Sequence, residues 1–371
     1  MRIDKGEISG RQFMFSVACL IQASSLLTAF LVGIGKQDSW INVLLGAAVC
    51  LPLLFLYRGL MVMFPDKNLI QVLEEVFGKV AGKILGAGYI WFFLTLASLN
   101  LTDLGDFTNL TIMEETPSLL LIVMCVLVAA MAVRGGIRLV TKYSAAFMVT
   151  ACVILIVSTL LVANQMNPEN FLPVFNQEPI RYVQGAHVIL TIPFGEIVIF
   201  LMLKPNVQLS KKQTTRYLFI GFGLGALSIL TVVMRDTAVL GNTLDMFTMP
   251  SLVTLRLVNF GLSLSRMEIL FAAILIMLSF FKITLLYYVV VLTIAQVFDI
   301  QEYKNIVLAV GALMVTYGLT LYSNSAQHAA SARETVPIIW SLFEFLLPLI
   351  TLVAAKIKAK KKKKEMQTWP S

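Results

Sequence analysis

Residues 184–203 read QGAHVILTIPFGEIVIFLML. The run is apolar and long enough to cross a bilayer, which takes about 20 such residues. Yet Pro193, Phe194, Gly195 and Glu196 stand in its middle. Pro193 has no N–H and its ring clashes with the preceding turn, so a helix kinks or breaks there. Gly195 lets the backbone leave helical geometry at low steric cost. Glu196 sets an ionisable carboxyl near mid-membrane, where a charge costs roughly 3 kcal/mol on insertion scales. Irregular backbone at that depth is tolerated only where it faces protein or a water-filled cavity. The expectation is a discontinuous helix lining a site. The plainer alternative is a proline-kinked packing helix whose Glu is neutral.

The rest of the chain has the same character. Of 371 residues, 58% are hydrophobic and 13% charged, with a mean hydropathy of +0.84. A soluble chain carries about 25% charged residues, so the composition predicts a polytopic membrane protein. The formal charge of +8 does not point to nucleic acid, because the basic residues lie in loops and the tail. Cys19, Cys50, Cys125 and Cys152 all fall in apolar segments, so they read as small buried hydrophobes with no disulfide framework and no metal spacing. The first apolar run is long, follows a charged start and has no small-residue cleavage pattern, so no cleavable signal peptide is expected.

Ten segments meet the length rule: residues 12–33, 40–63, 84–105, 118–134, 143–164, 184–203, 216–235, 267–298, 304–322 and 336–356. The eighth is long and is tilted or continues past the bilayer. Basic residues orient the set. The amino terminus, the even-numbered loops and the tail carry 22 Lys and Arg. The opposite side carries six: Lys36, Arg181, Arg235, Arg256, Arg266 and Arg333. Both termini are therefore expected in the cytoplasm. Residues 68–80 read as an amphipathic cytoplasmic helix with Asn68 as its cap. Residues 165–183, with Pro168, Pro173 and Pro179, form an outer loop. Residues 240–265 form a second one, too polar to span and suited to short helices over the outer mouth. The tail KIKAKKKKKE is a topology anchor or a patch attracted to anionic lipid.

Five spans followed by five, each set opening on an odd helix, suggest an inverted repeat. The layout is a cytoplasmic amino terminus over 1–11, a first five-helix repeat over 12–165, an outer loop over 166–183, a second repeat over 184–356 and a basic tail over 357–371. The first span has a polar, small middle, Gln22, Ala23, Ser24 and Ser25, with Thr28 one turn later. That is either a second break or a small-residue packing face.

No catalytic constellation or metal-ligand spacing appears, so neither an enzyme nor a cofactor is expected. His187 and His328 are far apart, and His187 reads as a packing residue. Gly135–Gly136 and GFGLG at 221–225 lack the lysine and strand of a phosphate loop. Intramembrane ionisable residues are functional candidates, and two stand out: Glu196 in the sixth span and Lys282 in the eighth. They are candidate partners for each other, with a cluster of backbone carbonyls as the other structural partner open to Lys282. Alternatively, Lys282 supplies a fixed positive charge in place of a coupling cation. Asn100, Thr102, Asp103 and Asp106 at the end of the third span read as exposed outer groups. Half-helix N-termini suit a carboxylate, and unwound carbonyls suit an ammonium, so a small zwitterion fits, with Phe194 placed to cap the pocket.

Several stretches together resemble a known family. They are Gly6-x-Ile8-Ser9-x-x-Gln12, FPDKNLIQVLEEVFGKVAGKILG at 64–86, Arg134-Gly135-Gly136-Ile137, Asn170-Phe171-Leu172-Pro173-Val174 and Phe194-Gly195-Glu196. In order and spacing they are similar to the B subunit of bacterial spore germinant receptors, within the amino acid–polyamine–organocation superfamily. The resemblance implies the ten-helix inverted-repeat fold of the leucine transporter, with helices 1 and 6 discontinuous. It implies a ligand site between spans one, three, six and eight. The candidate set is Gln22, Ala23, Ser24, Ser25, Thr28, Ser98, Pro193, Phe194, Gly195, Glu196, Ser279 and Lys282. It also implies A and C subunits as partners in the spore inner membrane. One departure is that the first span has Gln22 to Ser25 where the superfamily has a Gly-rich break. Three functions remain open: a receptor subunit sensing a germinant such as an amino acid, a proton-coupled or sodium-independent transporter of amino acids or small amines, and a scaffold with a vestigial pocket.

Overall fold

The computed structural model describes residues 7–113, 115–257 and 267–367, with side chains throughout except at 26–30, 267, 325 and 362–367. Nine helical stretches among these residues are long and apolar enough to cross a membrane. The tenth expected span, first in the chain, is divided. Helix Gly10–Ala23 gives way to a 3-10 turn, Ser24–Leu27, and resumes as Thr28–Gly35. The other uninterrupted spans are Ser39–Met63, Lys79–Thr111, Ser118–Gly135, Ser144–Leu161, Lys211–Leu240, Met267–Val297 and Val307–Leu321. The sixth runs as Pro179–Ile189, a wide turn Leu190–Phe194 and a 3-10 segment Gly195–Leu201. The tenth runs as Val336–Ser341, a wide turn Leu342–Leu346 and Leu347–Gln367, so the basic tail is helical as far as it is described.

The packing obeys the expected five-plus-five exchange. The first span lies against the seventh as the second lies against the sixth. The third meets the ninth as the eighth meets the fourth, and the third and eighth cross each other at the centre. The first contact shows how. Gly221 and Gly225 sit one turn apart, and Cβ atoms there would strike Met14 O and the Ile21 side chain. Small residues at this spacing let two membrane helices approach until their backbones nearly touch. The GFGLG stretch is therefore a packing seam.

The termini end of the bundle is closed by the amphipathic helix, Leu69–Phe77. The Asn68 side chain accepts from Gln71 N at 2.9 Å and Gln71 returns the bond, a reciprocal cap. Leu69, Ile70 and Leu73 point inward and are buried. Lys358 of the tail donates to Glu75 O at 2.7 Å. At the opposite end, residues 240–265 hold a turn, Gly241–Met246, and a short helix, Pro250–Arg256; Arg266 lies outside the described residues. A helix not expected from the sequence, Ser325–Glu334, joins the last two spans.

Two charged groups differ from expectation. Arg235 is not a loop cation, because the seventh span continues to Leu240 and carries Arg235 inside with 2% exposure. Its guanidinium bonds Asp236 Oδ1 at 2.8 and 2.9 Å and Ser158 Oγ at 3.2 Å, and stacks over Phe271. Ser251 donates to Asp236 Oδ2. Asp103 is not simply exposed: its Oδ1 lies 3.3 Å from His328 Nδ1, at the new helix. Asp106 is exposed as expected.

Removing one partner of a buried ion pair strands the other and costs about 3–5 kcal/mol. Arg235→Leu is expected to lower unfolding free energy by that amount in detergent–denaturant titration. Arg235→Leu with Asp236→Asn should recover most of it. A single variant as stable as the parent would contradict the buried pair.

Candidate functional site

The break in the sixth span falls at Ile192, whose φ of −121° and ψ of 103° are extended. Pro193 follows and cannot donate to the turn before it. Gly195 is itself helical, with φ of −69° and ψ of −26°, so it does not supply the break. Its missing side chain serves a close approach: a Cβ there would fall on Glu344 Oε2. Glycine is required here because the Glu344 side chain occupies the space, not because of its dihedral freedom.

Past the break, the 3-10 segment aims Glu196 into the bundle. Its Oε2 lies 2.6 Å from Lys282 Nζ, and neither side chain has any solvent exposure. Lys282 Nζ also donates to Ser24 Oγ at 2.6 Å, in the turn that divides the first span. One ammonium thus joins the interruptions of the first and sixth spans to the eighth. Of the alternatives open for Lys282, the structure has it paired with Glu196. Fully buried and paired, Lys282 is not snorkelling to an interface.

The other candidates are placed as follows. Gln22 and Ala23 are buried at the end of the first half-helix. Gln22 O accepts from Ser25 Oγ at 2.8 Å, while Gln22 Oε1 has no hydrogen-bond partner among the described residues. Ser279 is buried one turn before Lys282. Pro193 and Phe194 are buried, and the Phe194 ring meets Phe222 of the seventh span edge-on at 5.0 Å. Ser98 is buried beside Gly318 of the ninth span. The Thr28 side chain lies outside the described residues. His187 Nε2 is 2.8 Å from Ser341 Oγ, a packing bond between the sixth and tenth spans.

Glu344 was not singled out from the sequence. It sits in the wide turn of the tenth span, 1% exposed, against Gly195. Neither of its carboxyl oxygens has a hydrogen-bond partner among the described residues. Its neighbourhood is fixed by two tyrosines. The Tyr57 hydroxyl lies 3.0 Å from Gly195 O and 2.8 Å from Glu344 O, and Tyr89 OH donates to Phe343 O at 2.8 Å. The rule that selects Glu196, a lone acid in an apolar run, selects Glu344 equally well.

This architecture is that of a multi-pass membrane protein with a transporter fold. Mhp1, a nucleobase-cation-symport-1 family transporter with bromovinylhydantoin bound, matches with a TM-score of 0.61 at 14% identity, covering 93% of this chain and 80% of that one. MhsT in complex with L-phenylalanine matches at 0.62 and 11% identity, covering 93% of this chain and 95% of that one. The chain belongs to the spore germination protein (spore permease) family, whose pattern it matches over residues 7–327. Spore germination protein KB of Bacillus subtilis (strain 168) is 25% identical over 371 residues, covering 98% of each chain.

Lys282→Met and Glu196→Gln, made singly, should each lower stability by about 3–5 kcal/mol in the same titration, and the double variant should recover most of the loss. Gly195→Ala should cost about 1–3 kcal/mol through overpacking against Glu344. Additive single effects, with no recovery in the double variant, would mean the two charges do not meet.

Proposed function

We propose that this chain is the germinant-sensing membrane subunit of a spore germination receptor, working with A and C subunits in the spore inner membrane. Its ligand is a small amino acid-like zwitterion, bound among Gln22–Ser25, Pro193–Glu196, Ser279 and Lys282. The observation that carries this reading is the Glu196–Lys282–Ser24 junction. It holds one charge of each sign at the two helix interruptions. A ligand carboxylate suits the ammonium and a ligand ammonium suits the carboxylate, so a zwitterion can replace the direct contact without leaving either charge uncompensated. Both interrupted spans would then be released from one lysine and held by the ligand instead. A ligand shifts such an equilibrium only through its different affinity for the two arrangements, and this exchange supplies that difference. MhsT, of similar fold, was solved with L-phenylalanine.

A secondary transporter of amino acids or small amines, sodium-independent or coupled to protons, is the second reading. The transporter fold favours it. Uptake by reconstituted vesicles would support it, whereas co-purification with A and C subunits supports the receptor.

Glu196→Gln, at parental protein level, is expected to shift the germination dose–response to at least tenfold higher ligand. An unchanged curve would remove Glu196 from the site. Both termini are placed in the cytoplasm by the basic-residue count. Single cysteines introduced near residues 70 and 175 should therefore label from opposite faces, and equal labelling from outside would refute this orientation.

A further inference from the structure

The centre of the bundle holds two carboxyl groups and one ammonium. Lys282 is spent on Glu196. Glu344 is 1% exposed, touches Gly195 at the interrupted helix and has no donor for either oxygen. An ionised carboxylate in that setting is strongly disfavoured unless it is paired and hydrogen-bonded. The groups that face it are Glu196 of the sixth span, Lys282 of the eighth, Cys50 and Tyr57 of the second and Tyr89 of the third. His187 of the sixth span bonds Ser341, one turn before Glu344. The tyrosine hydroxyls lie on backbone carbonyls, so they are not free to solvate a carboxylate. An inorganic cation would need several converging oxygens. The carbonyl of Gly195 is already engaged by Tyr57.

We propose that Glu344 is a proton-binding site. In this arrangement its carboxyl carries a proton. Glu344 Oε2 and Leu190 O both lie against Gly195, where a Cβ would meet them. When the sixth span moves and carries Gly195 away, water reaches the group. The O–H bond then breaks, the electron pair stays on the carboxylate, and the proton passes to water as hydronium. Movement at the break and proton occupancy are thereby linked, because glycine's absent side chain is what lets the carboxyl dock. Coupling to a ligand rests on the site proposed above; protonation of Glu344 does not.

Infrared spectroscopy on the full-length protein in nanodiscs tests protonation directly. A carbonyl stretch of a protonated carboxyl, shifting in heavy water, is expected at neutral pH. It should disappear in Glu344→Gln, which keeps the shape of the neutral acid, and persist in Glu196→Gln. Glu344→Met serves the same purpose if the Gln variant does not fold. A band unchanged in the Glu344 variants overturns the proposal. So does a band that sodium chloride removes and choline chloride spares, since a metal cation would then hold the site. In weakly buffered nanodiscs, a mixture of L-amino acids should release protons from the parent and none from Glu344→Gln. Release that is equal in both overturns the coupling. If the parent binds no amino acid in the mixture, the ligand reading fails while the infrared result still decides Glu344.

Discussion

A single ammonium group, Lys282 Nζ, holds the centre of this bundle. It contacts Glu196 and Ser24 at 2.6 Å each, and those two residues stand at the places where two membrane helices are interrupted. Buried ion pairs contribute little net stability, because desolvating both partners offsets their attraction. An apolar pair of the same volume would hold three spans together as well or better. What the charges add is selectivity of contact: each needs an opposite charge, so the pairing specifies which faces meet. The two interruptions meet at this one lysine.

The two ends of the bundle are closed by different physics. The termini end uses a reciprocally capped amphipathic helix whose apolar face is buried, with Lys358 bonded across to it. The opposite end uses polar bonds between elements distant in sequence. Arg235 and Asp236 join the fifth span to the helix at Pro250–Arg256. Asp38 accepts from Tyr182 OH at 2.6 Å, tying the start of the second span to the start of the sixth. Asp103 meets His328, whose ring stacks on Tyr322. Polar contacts of this kind can be remade in a new register, whereas interdigitated apolar packing resists it.

Several residues carried legible signals. Pro193 and Glu196 mark the sixth span by elementary steric and solvation arguments, and Lys282 follows from the same cost rule. Gly195 was legible as important but for a reason the structure replaces, since its dihedrals are helical and its role is to admit Glu344. Arg235 looked like a loop cation because apolar content falls off before the helix ends. Its burial depends on the adjacent Asp236 and on Ser158 and Phe271, which arrive from the fifth and eighth spans. Glu344 was open to the same rule as Glu196 and lacked only a neighbouring proline or glycine to draw notice.

Composition and spacing by themselves determined a membrane bundle of two five-span halves, because a bilayer imposes segment length and penalises charge without reference to what packs on what. They also determined that the sixth span is broken, since proline chemistry is local. Which charges meet was decided only by tertiary structure. Glu196 and Lys282 lie on the sixth and eighth spans, with the whole seventh between them, and Glu344 reaches Gly195 from the tenth. Side-chain partnership in a lipid-facing bundle depends on helix rotation and depth. Those are set by contacts such as Gly221 and Gly225 on the first span, which no single segment encodes.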